Sequence, residues 1–142
     1  MSSRKRAKAT GRKESGPFLA VPKRMLDSPN YTKLTFKARA MLLELARQYN
    51  GSNNGDLCAT YNTLKDRGFG SKETIFDAIR ELEVLGFIVR TRQGGKNLCN
   101  LFAITWKPID ECSGKLDVKP TITATNDFLE RNFRVISGSK QA

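Results

Sequence analysis

The sequence predicts an α+β fold: a three-helix core with a short strand and a β-hairpin, preceded by a basic arm and followed by a short extension. Two segments, residues 35–49 and 71–85, repeat apolar residues at helical spacings of 3, 4 and 7, so each has one buried face. Two strand-forming runs flank the glycine-bearing stretch "QGGKN", which marks a hairpin. Residues 1–16, "MSSRKRAKATGRKESG", are basic and lack any apolar period.

The arm covers residues 1–16 and carries Arg4, Lys5, Arg6, Lys8, Arg12 and Lys13 against Glu14, a net charge of +5. Such a segment is expected to be disordered alone. It serves either as a solubilising tail or as an arm that follows phosphates or enters a minor groove. The domain is expected over 17–108. It opens with "GPFLAVPKRMLDSPNYTKL", read as a short extended piece at Phe18, Leu19 and Val21, then one helical turn around Met25 and Leu26, broken by "DSPN".

"TFKARAMLLELARQYN" is a clearer helix. Thr35 caps it by accepting from free backbone N–H groups. Ala38, Met41, Leu42, Leu45 and Tyr49 form its inner face, and Lys37, Arg39, Glu44 and Arg47 its outer one. "NGSNNG" ends it with residues tolerant of positive φ. "DLCA" is a small strand. "TYNTLKDRG" is a second helix, with Thr60 as N-cap, Leu64 inward and Gly68 as the stop.

After the tight "GFG", Ser71 caps the third helix, "SKETIFDAIRELEVLGFI", and Gly86 closes it. Ile75, Ala78, Ile79, Leu82 and Leu85 share the core arc. Glu73, Phe76, Asp77, Arg80, Glu81 and Val84 lie opposite. In the hairpin, Phe87, Val89 and Thr91 alternate with Ile88, Arg90 and Arg92. On the return, Asn100, Phe102, Ile104 and Trp106 alternate with Leu101, Ala103 and Thr105. Residues 109–142 form a C-terminal extension suited to docking or oligomerisation. They include a short helix in "NDFLERNF" capped by Asn126, with Phe128, Leu129 and Phe133 apolar.

Composition narrows the function. The 142 residues suffice for one modest domain, with 39% hydrophobic and 27% charged residues. No apolar run approaches the roughly 20 residues of a membrane span, and the N-terminus lacks a secretory apolar segment, so a cytoplasmic protein is expected. Cys58, Cys99 and Cys112 are odd in number and widely spaced, which argues against a disulfide framework or a zinc site. They read as small, half-buried hydrophobes. Histidine is absent, and with it the commonest general base and metal ligand. No catalytic constellation stands out, so no enzyme, metal or cofactor is expected. The net charge of +11, from 25 Lys+Arg against 14 Asp+Glu, points to a polyanionic partner.

The order helix, short strand, helix, turn, helix, hairpin is the layout of a winged helix-turn-helix. Two small helices and a strand hold the third helix so that its outer face enters a major groove about 12 Å wide, with the hairpin wing beside it. The residues also resemble this superfamily directly. "LTFKARAMLLELARQYNGSNNGDL", "SKETIFDAIRELEVLGFI", the Gly-rich hairpin and "FAITWKPID" look like helix-turn-helix proteins of bacterial phages, plasmids and integrated elements, over about residues 17–110. The resemblance implies a DNA-binding regulator, or a replication initiator or accessory, of a mobile element, located in the bacterial cytoplasm or nucleoid.

The candidate base-reading residues are Ser71, Lys72, Glu73, Phe76, Asp77 and Arg80. Arg80 suits guanine, Asp77 or Glu73 suits cytosine, and Phe76 suits a thymine methyl unless it is tucked under the preceding helix. Ser71 and Lys72 sit where the helix dipole favours a phosphate. Over residues 71–86 two basic residues face four acidic ones, a net charge of −2, so attraction must come from elsewhere. The wing offers Arg90, Arg92, Lys96 and Asn97, and the start of the second helix offers Thr60, Tyr61, Asn62 and Thr63 to the backbone. The expected partner is double-stranded DNA, bound by a homodimer or higher assembly because one helix covers few base pairs. A protein-assembly module using the face of Phe76 and Val84 is the rival from another class. Single strands and RNA fit less well, since no aromatic stacking platform is visible.

Overall fold

A computed structural model of the chain describes residues 16–129. The arm residues Arg4, Lys5, Arg6, Lys8, Arg12 and Lys13 therefore lie outside the described residues, as does Phe133.

The architecture is α+β. Two one-turn helices, α1 (Lys23–Leu26) and α2 (Pro29–Thr32), lead in. "DSPN" does more than break the first turn. Ser28 accepts from Tyr31 N–H and Pro29 takes the first helical position, so the same residues start the second turn. Buried Asn30 then donates through Nδ2 to the Leu85 carbonyl at 3.1 Å, tying the lead-in to a later helix end.

Helix α3 (Phe36–Ala46) begins where Thr35 Oγ1 accepts from Ala38 N–H at 3.2 Å. Ala38, Met41, Leu42 and Leu45 are buried as their spacing requires. Leu57 then makes a single antiparallel bridge to Phe102, which realises the predicted small strand as one pairing. Helix α4 is only one α-turn, Tyr61–Leu64, continued as a 3-10 turn over Lys65–Arg67. Gly68, at φ 98°, ends it in the left-handed conformation that glycine adopts without a Cβ clash.

Helix α5 (Lys72–Val84) packs Ile75, Ala78, Ile79 and Leu82 against the inner face of α3. Removing an isoleucine or leucine side chain from water contributes roughly 1.5–3 kcal/mol. Ser71 Oγ accepts from Thr74 N–H at 3.1 Å. At the other end Phe87 N–H reaches Leu82 O and Gly86 N–H reaches Glu83 O, the paired bonds of a Schellman stop. Gly86 has φ 84°, and a Cβ there would lie 2.2 Å from Asp127 O. Both conformation and a close chain crossing demand glycine.

Strands β1 (Ile88–Arg92) and β2 (Leu101–Ile104) pair antiparallel, with Ile88 opposite Ile104 and Arg90 opposite Phe102. Arg92 then pairs with Leu101, so Thr91 is the extra residue of a bulge. Its hydroxyl donates to Gly55 O at 2.7 Å and its carbonyl accepts from Asp117 N–H.

The predicted alternation of β2 does not become an alternation of exposure: every residue from Leu101 to Trp106 is buried. The chain after Pro108 returns onto the body. Buried Ile109, with Cys112 and Leu116, packs over Gly55. Asn126 N–H bonds Thr105 O, and the Phe128 ring stacks on Phe87 at 5.7 Å and 10°. Residues 126–129 form a turn, not the first turn of a helix, because Asn126 at φ 50° lacks the extended backbone of an N-cap. Phe128 is held by stacking instead.

Fully buried Asn54 joins the early loop to the hairpin. Its amide donates to the carbonyls of Ile104, Lys107 and Pro108, and its Oδ1 accepts from Ile104 N–H. No helix among the described residues is long and apolar enough to cross a membrane.

Candidate nucleic-acid interface

The site is built on α5. Its inner face is fixed by α3, so its outer face is presented at a set angle. Ser71, Lys72, Glu73, Phe76, Asp77 and Arg80 are all exposed there. Phe76 is 58% exposed and is therefore not tucked under α4. Lys72 Nζ stands 6.0 Å from the Tyr61 ring, which links the tip of α5 to the start of α4.

Glu81 is the exception on that arc. Its carboxylate accepts from Thr35 N–H at 2.8 Å and from the Thr35 hydroxyl at 2.9 Å. It caps α3 from a neighbouring helix rather than facing outward. Glu83 is also engaged: it takes Arg90 Nε and Nη2 at 3.1 and 3.0 Å. With these two carboxylates committed, the open face keeps Lys72 and Arg80 against Glu73 and Asp77. Its balance is neutral, not the −2 of the whole segment.

The basic and polar residues of the hairpin separate into two kinds. Arg90 is clamped by Glu83, bonded to Gln93 at 3.2 Å, and set over the Phe102 ring at 5.3 Å. Arg92 donates to Cys99 O at 2.9 Å. Both guanidiniums brace the hairpin. Lys96 and Asn97 are exposed at its tip, where Gly95 and Leu98 exchange backbone bonds and Asn97 adopts φ 57°.

On α4, Asn62 and Thr63 are exposed and Thr60 and Tyr61 half-buried. The Thr60 and Thr63 hydroxyls bond each other at 3.0 Å. Between these elements run two neighbouring hollows. One of about 280 Å³ is lined by Tyr61, Lys72, Phe76, Arg90 and Asn100, and one of about 610 Å³ by Thr60, Lys72, Gln93, Gly94 and Asn100. Lys72 and Asn100 belong to both. Gln93 and Asn100 were not among the sequence candidates. Their only local signal is a polar residue at each inner end of the hairpin loop.

All three cysteines are free and half-buried. Cys99 lines the larger hollow and is a direct neighbour of Cys58. Burial, then Cys99 and Asp56, pushes the Cys58 thiol up. Among the described residues no group of three or more metal-ligating side chains occurs. Charge is distributed unevenly. Residues 1–15 hold a net +5 and 130–142 a net +2, leaving +4 of the total +11 on the described body.

Comparison of the chain with protein-family models, curated proteins and solved structures finds no match.

Proposed function

We propose that this protein is a sequence-specific double-stranded DNA-binding protein with a winged helix-turn-helix body, acting as a transcriptional regulator of a mobile genetic element. The observation that carries the reading is the outer face of α5. Six residues on its first turns, Ser71, Lys72, Glu73, Phe76, Asp77 and Arg80, stand exposed on a helix whose inner face is locked in the core. The hairpin lies beside it, and the hollows between them open onto Lys72, Gln93 and Asn100.

In this reading α5 selects sequence in the major groove. Arg80 and Asp77 offer a donor fork and an acceptor to base edges. Lys72, Lys96, Asn97 and Asn62 position the body on phosphates. The basic arm supplies the long-range attraction that a body of only +4 lacks. A second copy on the DNA would extend the few base pairs one helix reads.

Titration with duplex DNA at several salt concentrations tests this. Selected sequences should bind well above random duplex, and affinity should fall steeply with salt. Equal affinity for every duplex would end the sequence-specific reading. A rival use of the same face, protein assembly, is favoured by Phe76 and by Val84, which is 57% exposed. Replacing Phe76 and Arg80 by alanine separates the two: loss of DNA binding with self-association intact supports the reader.

A further inference from the structure

We propose that the outer face of α3 is a docking surface for an acidic amphipathic helix of a protein partner. This surface is separate from the DNA-reading face and its assignment does not depend on that reading.

At about 100° per residue, Phe36, Ala40, Leu43 and Arg47 fall within ~60° of one another. Phe36 is 83% exposed and Leu43 54%, and Ala40 between them is exposed too. The helix thus carries a second apolar stripe, opposite the one that packs on α5. Scattered exposed hydrophobes need no explanation, but a contiguous stripe along a rigid helix does.

The stripe has the shape for a helix. Phe36, Arg39, Ala40 and Leu43 stand at i, i+3, i+4 and i+7, the four corners of a hole that receives one side chain from a facing helix. Ala40 leaves that hole deep. Arg39 is held in place by the Tyr31 carbonyl at 3.2 Å and the Tyr31 ring at 4.6 Å, and its guanidinium also lies 5.5 Å from the Phe36 ring. This edge of the hole is therefore preformed.

Charge selects the occupant. Lys37 beside the stripe and Arg47 at its C-terminal end are exposed and make no ion pair among the described residues. The helix's one acidic residue, Glu44, is paired with Arg67. A second copy would set these cations against themselves. The chain's own ends are no better matched, since residues 1–15 and 130–142 are both net basic. A helix with apolar residues at i, i+3 or i+4 and i+7, flanked by glutamate or aspartate, satisfies both the stripe and its rim.

Two synthetic helical peptides test this against the full-length protein. They share one leucine stripe and differ in flanks, one glutamate and one lysine. The glutamate peptide should bind at least about tenfold more tightly, and Phe36→Ser with Leu43→Ser should weaken it by at least about tenfold. Both positions are exposed, so the thermal melt of the double variant should match the parent. Equal binding of the two peptides, or of parent and variant, overturns the proposal. If the double variant instead loses self-association in sedimentation, or loses duplex DNA binding, the face belongs to a second copy or to DNA, and the proposal is equally overturned.

Discussion

Glu81 closes the N-terminus of α3 by accepting both the backbone N–H and the hydroxyl of Thr35. One carboxylate thereby satisfies a free helix-end donor and fixes α5 against α3. Replacing Glu81 by alanine should cost about 1–2 kcal/mol in chemical denaturation, as losing a cap does. Asp77→Ala on the same helix makes none of these bonds and should stay within about 0.5 kcal/mol.

The C-terminal segment should prove part of the folding unit. Phe128 is buried against Phe87, and Ile109 is buried beside Gly55. Phe128→Ala should destabilise by about 3–5 kcal/mol. Deleting residues 109–142 should abolish cooperative unfolding, as followed by circular dichroism. Gly86→Ala should be comparably harmful, because the added Cβ meets Asp127 O at 2.2 Å and φ is positive.

Asn54 is a second keystone. Replacing it by leucine leaves Ile104 N–H and three carbonyls without their partner. Each buried group left unpaired costs about 1–3 kcal/mol, so the variant should melt well below the parent.

On the proposed interface, three kinds of basic residue should behave differently. Arg80→Ala should reduce discrimination between sequences, by about 1–3 kcal/mol if the guanidinium forks a base. Deleting residues 1–15 should weaken binding to all duplexes alike. The log–log slope of affinity against salt should flatten by about 0.9 for each phosphate the arm no longer neutralises. Arg90→Ala should chiefly lower stability, since its guanidinium is already taken by Glu83. An Arg90 variant that kept full stability but failed to bind DNA would reverse that assignment.

Cys58 should be a slow nucleophile near neutral pH. Burial is the largest cause raising its thiol, with Cys99 and Asp56 adding to it. The thiolate is the reactive form, so a raised value means less of it at a given pH. Alkylation at Cys58, followed by mass spectrometry, should be slower in the folded chain than in the denatured one. It should accelerate as pH rises beyond the ordinary thiol range.

The features legible in the sequence are those whose physics is local. The caps at Thr35 and Ser71, the glycine stops at Gly68 and Gly86, and the apolar faces of α3 and α5 each depend on residues within one or two turns. The exposed arc of α5 follows from the same periodicity, so most of the candidate site could be named from spacing alone. Tertiary structure alone decided which charged residues on and beside that arc remain available. Glu81 bonds a residue 46 positions away, and Asn54 reaches carbonyls more than 50 away, distances at which no periodic pattern carries information. The same holds for Phe128, whose apolar character predicted a helix face but whose place is a ring stack on Phe87. A side chain's chemistry states what it can bond. Only the folded chain determines which partner comes within about 3 Å, and that choice separates the polar residues that hold this protein together from those left free to bind.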